Sequence, residues 1–181
     1  MDLLQRFTHG EIDAFETLVR QFQGDIYAWT VRIVRDPSVA EDLTVETLWR
    51  VYRARHRFRP DGNFGGWARR IATNLAIDHL RRNRPGQSFL AEPRGVPQPD
   101  PVVQRETQER IQQAFRRLPA KLQVAATLAL IEELPYDEIA SALGTSAGAV
   151  KLRVFRAVRI LRKRLSQAGI RPERKNMRTT T

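Results

Sequence analysis

The chain has no cysteine among its 181 residues, so disulfides, thiolate metal sites and cysteine nucleophiles are excluded before any motif is read. Histidine is nearly as scarce: His9, His56 and His79 are scattered, and none belongs to a His-x-x-x-His or Glu-x-x-His pair that would set two metal ligands on one helix face. A GxxxxGK phosphate loop is missing. No apolar run approaches the ~18 to 20 residues of a spanning helix, and the opening MDLLQRF lacks the basic then apolar layout of a signal peptide. A cytoplasmic protein with no membrane attachment, no metal and no cofactor is expected. Acidic residues are outnumbered, 20 Asp plus Glu against 31 Lys plus Arg, and the net charge of +11 calls for an anionic partner. Of the basic residues 27 are Arg, whose planar fork suits phosphate and guanine edges.

That charge is unevenly placed. Residues 1–48 carry a net -5, 49–84 a net +8 and 151–181 a net +10, so two basic blocks lie far apart in sequence. Residues 85–103 hold five of the ten prolines and show no helical period, which marks an extended linker. Everywhere else the apolar residues recur with a period near 3.6, and strand-like alternation is absent. The expectation is an all-α protein: one helical domain over 1–84, the linker 85–103, a second helical domain over 104–166 and a basic tail over 167–181.

In the first domain, Phe15, Leu18, Phe22, Ile26, Trp29 and Ile33 form the stripe of a long helix that stops at Asp36-Pro37. Ser38 with Glu41 three residues on reads as a capping box for the next helix, which runs to about Phe58. A loop over 59–65 leads to a third helix lined by Trp67, Ala68, Ile71, Leu75 and Leu80. In the second domain, helices over 103–117 and 121–132 precede a short helix with Ile139, Ala140 and Leu143 inward. Gly144 then supplies a left-handed turn, Ser146 a cap, and a final helix places Val150 inward. This is the layout of a helix-turn-helix, and it coincides with the second basic block.

Three segments, VAEDLTVETLWRVY (39–52), FGGWARRIATNLAIDHLRR (64–82) and LPYDEIASALGTSAGAVKLRVFRAVRILRKRL (134–165), resemble in order and spacing the core-binding, promoter-melting and helix-turn-helix regions of bacterial RNA polymerase sigma factors of the extracytoplasmic-function (ECF) group. The resemblance covers about residues 11–166. It implies a non-enzymatic factor, monomeric when free, that joins core RNA polymerase at the beta-prime clamp helices and the beta flap, directs it to promoter DNA, and is held by an anti-sigma factor.

Residue by residue, the resemblance puts core polymerase binding on Glu41, Asp42, Val45, Glu46, Leu48 and Trp49. From the residues alone, Asp42 and Glu46 form an exposed acidic edge, which suits a protein partner and not DNA. Minus-ten recognition and melting fall to Arg57, Arg59, Asp61, Asn63, Phe64, Trp67, Arg70, Asn74, Asp78, Arg81 and Arg82, where a basic groove with aromatic platforms suits a single strand. Minus-thirty-five recognition falls to Ser146, Ala149, Lys151, Leu152, Arg153 and Arg156, with Arg153 and Leu152 near the helix start placed to reach base edges and Arg156 placed for phosphate. Family members often have Gln and Phe at the positions of Val45 and Leu48, and commonly Ser and His at those of Leu152 and Phe155, so docking detail and base preference depart from the pattern. A stand-alone helix-turn-helix regulator is the alternative reading, opposed by the acidic edge on a separate domain. A helical nuclease or recombinase would need converging carboxylates or a nucleophilic Tyr or Ser that the sequence does not place.

Overall fold

A computed structural model of the chain describes residues 1–83 and 102–170, so most of the linker and the end of the basic tail lie outside the described residues. Among the described residues every regular element is helical. The elements are α1 (Leu3–Thr8), α2 (Ile12–Val34), α3 (Pro37–Arg53), a 3-10 turn (Arg55–Arg57), α4 (Phe64–Arg82), α5 (Val102–Arg116), α6 (Ala120–Ala126) with a π-helical turn (Thr127–Ile131), α7 (Tyr136–Leu143) and α8 (Ala147–Gln167). The all-α, two-domain architecture expected from periodicity is therefore present.

Local chemistry explains most boundaries. Helix α2 ends where Arg35 turns left-handed at φ 59 ahead of Asp36-Pro37. The cap of α3 differs from the sequence expectation: Asp36 and not Ser38 closes the helix start, its carboxylate accepting from the Ser38 and Val39 amides at 3.0 and 3.2 Å. Pro37 is the reason, since its fixed φ and missing N–H favour the first helical position and move the cap one residue ahead of it. Glu41 is thereby released from capping. Helix α3 ends at Arg53, five residues before the expected end, because the chain tightens into the 3-10 turn. At the other end of the loop Asn63 caps α4 by accepting from the Gly66 amide at 2.9 Å, so Phe64, Gly65 and Gly66 belong to the helix.

Helix α1 was not marked by periodicity, being only six residues long. Its cap was nonetheless written in Asp2 and Gln5, which form a capping box. It exists to deliver Phe7, which is fully buried among Phe15, Phe58 and Phe64 at ring-centroid distances of 6.1, 6.4 and 5.5 Å. In the same core Trp29 is buried, and its indole N–H donates to Thr73 Oγ at 2.9 Å, joining α2 to α4.

In the second domain α7, Gly144 and α8 form the helix-turn-helix. Gly144 takes φ 60, Ser146 caps α8 by accepting from the Ala149 amide at 3.2 Å, and Val150, Val154, Ala157 and Leu161 are the buried stripe of α8. The left-handed conformation costs a residue with a β-carbon roughly 1–2 kcal/mol. Gly144→Ala is therefore expected to lower stability by at least about that amount in urea unfolding, since the new β-carbon would also have to displace the Arg70 guanidinium.

The two domains touch. One hydrophobic core runs from Phe7, Trp29 and Ala68 through Val124, Leu128, Ile139 and Val150, while a second, smaller cluster joins α5 to α6 and α8 through Ala114, Leu118, Ala126 and Leu161. Charges seal the junction: Glu132 receives Arg35 at 2.6 Å and Arg32 at 3.5 Å, and Arg69 reaches Glu138 at 3.5 Å.

Candidate polymerase and promoter interfaces

Helix α3 packs on α2 and α4 through Ala40, Thr44, Thr47 and Val51, which leaves its opposite side to solvent. There Val45 is 69% exposed and Trp49 55% exposed, an apolar pair one turn apart. Glu41 and Asp42 stand exposed beside them. Glu46 is held differently from the sequence expectation: its carboxylate accepts from Arg50 Nε at 2.7 Å, so part of its charge is answered within the helix. Leu48 is half-buried and packs on the core. The result is an edge whose centre is apolar and whose N-terminal flank is acidic. Unpaired tryptophan on a surface otherwise polar marks a protein contact more than a nucleic-acid one.

The proposed melting surface is less uniform than the sequence implied. Arg57 is exposed on the 3-10 turn, and Arg59 forms a two-pronged pair with Asp61 at 3.1 and 3.3 Å on the exposed loop tip. Phe64, read from the sequence as an accessible aromatic, is 4% exposed and lies among Phe7, Phe22, Phe58 and Trp67. It is a core residue supporting the loop from below. Trp67 is half-buried, with its ring centroid 5.0 Å from that of Phe58. Arg70, Asn74 and Arg81 share one face of α4 by their spacing, all three exposed, with Asp78 beside them 3.8 Å from Arg81. Arg82 is exposed at the helix end, and His79 next to it is held below its ordinary pKa, first by burial and then by the Arg82 charge. The positive charge at this end of α4 in neutral solution therefore comes from arginine.

Across part of this face lies the second domain. The Arg70 guanidinium rests over Gly144, where a β-carbon would stand 2.6 Å from it. Arg69 is sandwiched between the Trp29 ring, 5.4 Å from its centroid, and Glu138 of α7. Between them a cavity of about 350 Å³ is walled by Phe22, Trp29, Asn63, Gly65, Arg69 and Ser141. The sequence does not pair Arg32 and Arg35 with Glu132, or Arg69 with Glu138; no local pattern joins residues so far apart in the chain.

On α8, Ser146 is spent as the cap, Ala149 and Arg153 are half-buried, and Lys151, Leu152 and Arg156 are exposed. Leu152 and Phe155 are 47% and 64% exposed, and the helix contains no acidic residue. Among the described residues no group of three His, Asp or Glu could hold a metal ion, and no helix is long and apolar enough to cross a membrane.

Comparison with known proteins gives these surfaces a context. Residues 18–85 match the family described as Sigma-70 region 2, and residues 108–161 match Sigma-70, region 4. The RNA polymerase sigma-H factor of Pseudomonas aeruginosa is 33% identical over 86% of this chain and 88% of its own length. The ECF RNA polymerase sigma factor SigW of Bacillus subtilis is 32% identical over 90% and 94%. Among solved structures, CnrH in complex with the cytosolic domain of CnrY superimposes with a TM-score of 0.56 at 25% identity, covering 91% of this chain and 96% of that one. With two sigma regions in order and relatives matched over nearly their full length, the chain belongs to the ECF sigma factors, non-enzymatic subunits that bring RNA polymerase to specific promoters.

Proposed function

We propose that the edge Glu41, Asp42, Val45 and Trp49 of α3 docks on the beta-prime clamp helices of core polymerase, and that the two basic surfaces divide the promoter between them. The observation that supports this most is the separation of the three surfaces: an acidic–apolar edge on α3, a basic loop and helix face on 57–82, and an acid-free recognition helix in α8. The first meets protein, the second the melted minus-ten strand, the third the duplex minus-thirty-five element. The beta flap is the partner of the second domain, and all of this takes place in the cytoplasm.

Two elements some 20 base pairs apart are ~70 Å apart along DNA. Domains packed as they are here cannot reach both, so promoter binding requires them to part and frees Arg69 and Arg70 from α7 and Gly144. The 18 residues 84–101 that join the domains can reach at most about 60 Å, enough with two domain widths added. An anti-sigma protein that covered the α3 edge would block docking; the protein partner on the solved relative CnrH supports a regulator of this kind.

On α8 the residues are expected to divide their work. In holoenzyme bound to its preferred upstream duplex, Arg153→Ala should cost roughly 1–3 kcal/mol and relax preference at one position. Arg156→Ala should weaken preferred and scrambled duplexes alike and reduce the salt slope by about one. A salt series on the two duplexes tests the assignment. Equal losses for Arg153→Ala on both duplexes would show that α8 is an electrostatic anchor only.

A further inference from the structure

Between the 3-10 turn and α4 the chain is buried at two points. Phe58 and Phe64 are packed inside, while Arg59, Pro60, Asp61 and Asn63 between them are exposed. A loop of this kind takes its position from whatever holds its two ends. Phe7 holds both: its ring lies 6.4 Å from that of Phe58 and 5.5 Å from that of Phe64, edge to face in each case. Phe7 belongs to α1, which lies outside residues 18–85, the part matched to Sigma-70 region 2. That match therefore gives the helix no part in promoter opening.

A helix of six residues does not form on its own, and α1 is fastened at both ends. Asp2 and Gln5 close its start with the capping box. Near its end Arg6 pairs with Glu11 at 2.8 Å and Asp13 at 3.0 Å, which ties it to the start of α2. The connection turns at Gly10, whose φ of 87 is costly for a residue with a β-carbon. There the Gly10 and Glu11 amides donate to the Phe7 and Arg6 carbonyls at 2.9 and 3.2 Å. Arg55 lies over this turn, so close that a β-carbon on Gly10 would stand 3.0 Å from its Nε. The same guanidinium is 4.6 Å from the centroid of the Tyr52 ring and donates to the Tyr52 carbonyl at 3.0 Å. Arg55 opens the 3-10 turn that leads into the loop. It therefore joins the α1–α2 turn to the end of α3 at the point where the loop departs.

We propose that α1 is a clasp on this loop, with Phe7 and Arg55 as positioning residues for capture of the unpaired minus-ten strand. This rests on the reading of the basic loop ahead of α4 as the melting loop, and names what holds it in shape. Phe7 sets the separation of the two loop ends, and Arg55 keeps Phe7 in place by holding the turn that follows it. Phe7 is fully buried and Arg55 faces Tyr52 and Gly10, so both act through the loop and not by touching the strand. With the clasp released, the loop has to be ordered at the moment of binding. That lowers affinity for the single strand and leaves the duplex upstream element unaffected.

The test uses holoenzyme assembled from the full chain and core polymerase, with a promoter selected from a random library by the wild type. One probe carries that promoter with its minus-ten region pre-melted; the other is a duplex with the upstream element that stops short of the minus-ten. Arg55→Ala releases the clasp at a half-buried position without opening the core. Its retention on the bubble should fall about fivefold, near the loss of one weak stacking contact, with retention on the upstream duplex unchanged. Arg55→Lys keeps the charge but not the planar fork and should recover little of that loss. Full recovery by lysine would make Arg55 a phosphate contact and overturn the clasp. Phe7→Leu should lower the ratio of bubble to duplex retention in the same way; if it does not fold, the two Arg55 variants decide alone. Equal losses on both probes would mean that α1 serves stability only, and an unchanged ratio would leave the melting loop without a clasp; either result overturns the proposal. If Arg59→Ala binds the bubble as well as wild type does, the reading of the loop itself fails and the clasp with it.

Discussion

Replacing Val45 and Trp49 together by alanine is expected to weaken binding to core RNA polymerase about a hundredfold, from about 2 kcal/mol for the tryptophan and about 1 for the valine. These side chains are 69% and 55% exposed, so truncation exposes no core and leaves no cavity. Stability should change by no more than about 0.5 kcal/mol. Leu48→Ala makes the contrast, because Leu48 packs on the core and its loss should appear first in urea unfolding. Reversing Asp42 adds a rate effect: the acidic flank steers association with a basic surface, so Asp42→Arg should slow association most at low salt. Glu46 is a poorer choice for charge reversal because a new arginine would face Arg50, its present partner at 2.7 Å. Co-purification with tagged core polymerase, quantified by titration, reads all three variants. Normal binding by the double alanine variant would make this side of α3 an ordinary solvated face.

The second large effect is on folding. Phe64→Ala should destabilise the first domain by about 3–5 kcal/mol, the usual cost of deleting a fully packed aromatic. Phe64 is 4% exposed and meets four other aromatic rings, with Phe22 at 5.0 Å and Phe7 at 5.5 Å. That loss is a large part of the ~5–15 kcal/mol that holds a small domain together. Urea unfolding followed by tryptophan fluorescence measures it through Trp29 and Trp67, both in the same core. Any melting defect of Phe64→Ala is then a folding defect. Arg59→Ala, on an exposed loop tip, should leave unfolding unchanged and weaken binding to a pre-melted bubble more than to duplex. A Phe64→Ala protein as stable as wild type would mean that the aromatic cluster around 58–67 is not the core of this domain.

These two cases mark what was legible in the sequence. Where a local conformation favours one residue type, the structure could be read directly: Gly144 at a left-handed turn, Ser146 at a helix start, Pro37 closing off α2. The stripe of α8 was legible for the same reason, since a period of 3.6 is a property of the helix itself. The sequence presents Phe64 as a loop aromatic because it sits between Asn63 and two glycines, in composition a surface loop. Its burial is decided by Phe7 and Phe22, whose rings arrive from other helices. The cap of α3 lies two residues ahead of the expected Ser38, because Ser38 and Asp36 are both good caps and Pro37 decides between them by geometry. The junction of the domains had no sequence signal: Arg35 and Glu132 are separated by 97 positions, and nothing at either end announces the other. Phe155 was visible on the helical wheel, but only its exposure in the folded chain separates a surface aromatic from a packed one.

The central claim is that this chain gives core polymerase a promoter specificity it lacks. The most direct measurement is run-off transcription from a promoter library with core polymerase alone, the protein alone, and the two together. Discrete transcripts that start downstream of a shared pair of upstream and minus-ten sequences, and that appear only in the combined reaction, are the predicted result. The same transcripts from core polymerase without the protein, or cleavage of the templates by the protein alone, would contradict it.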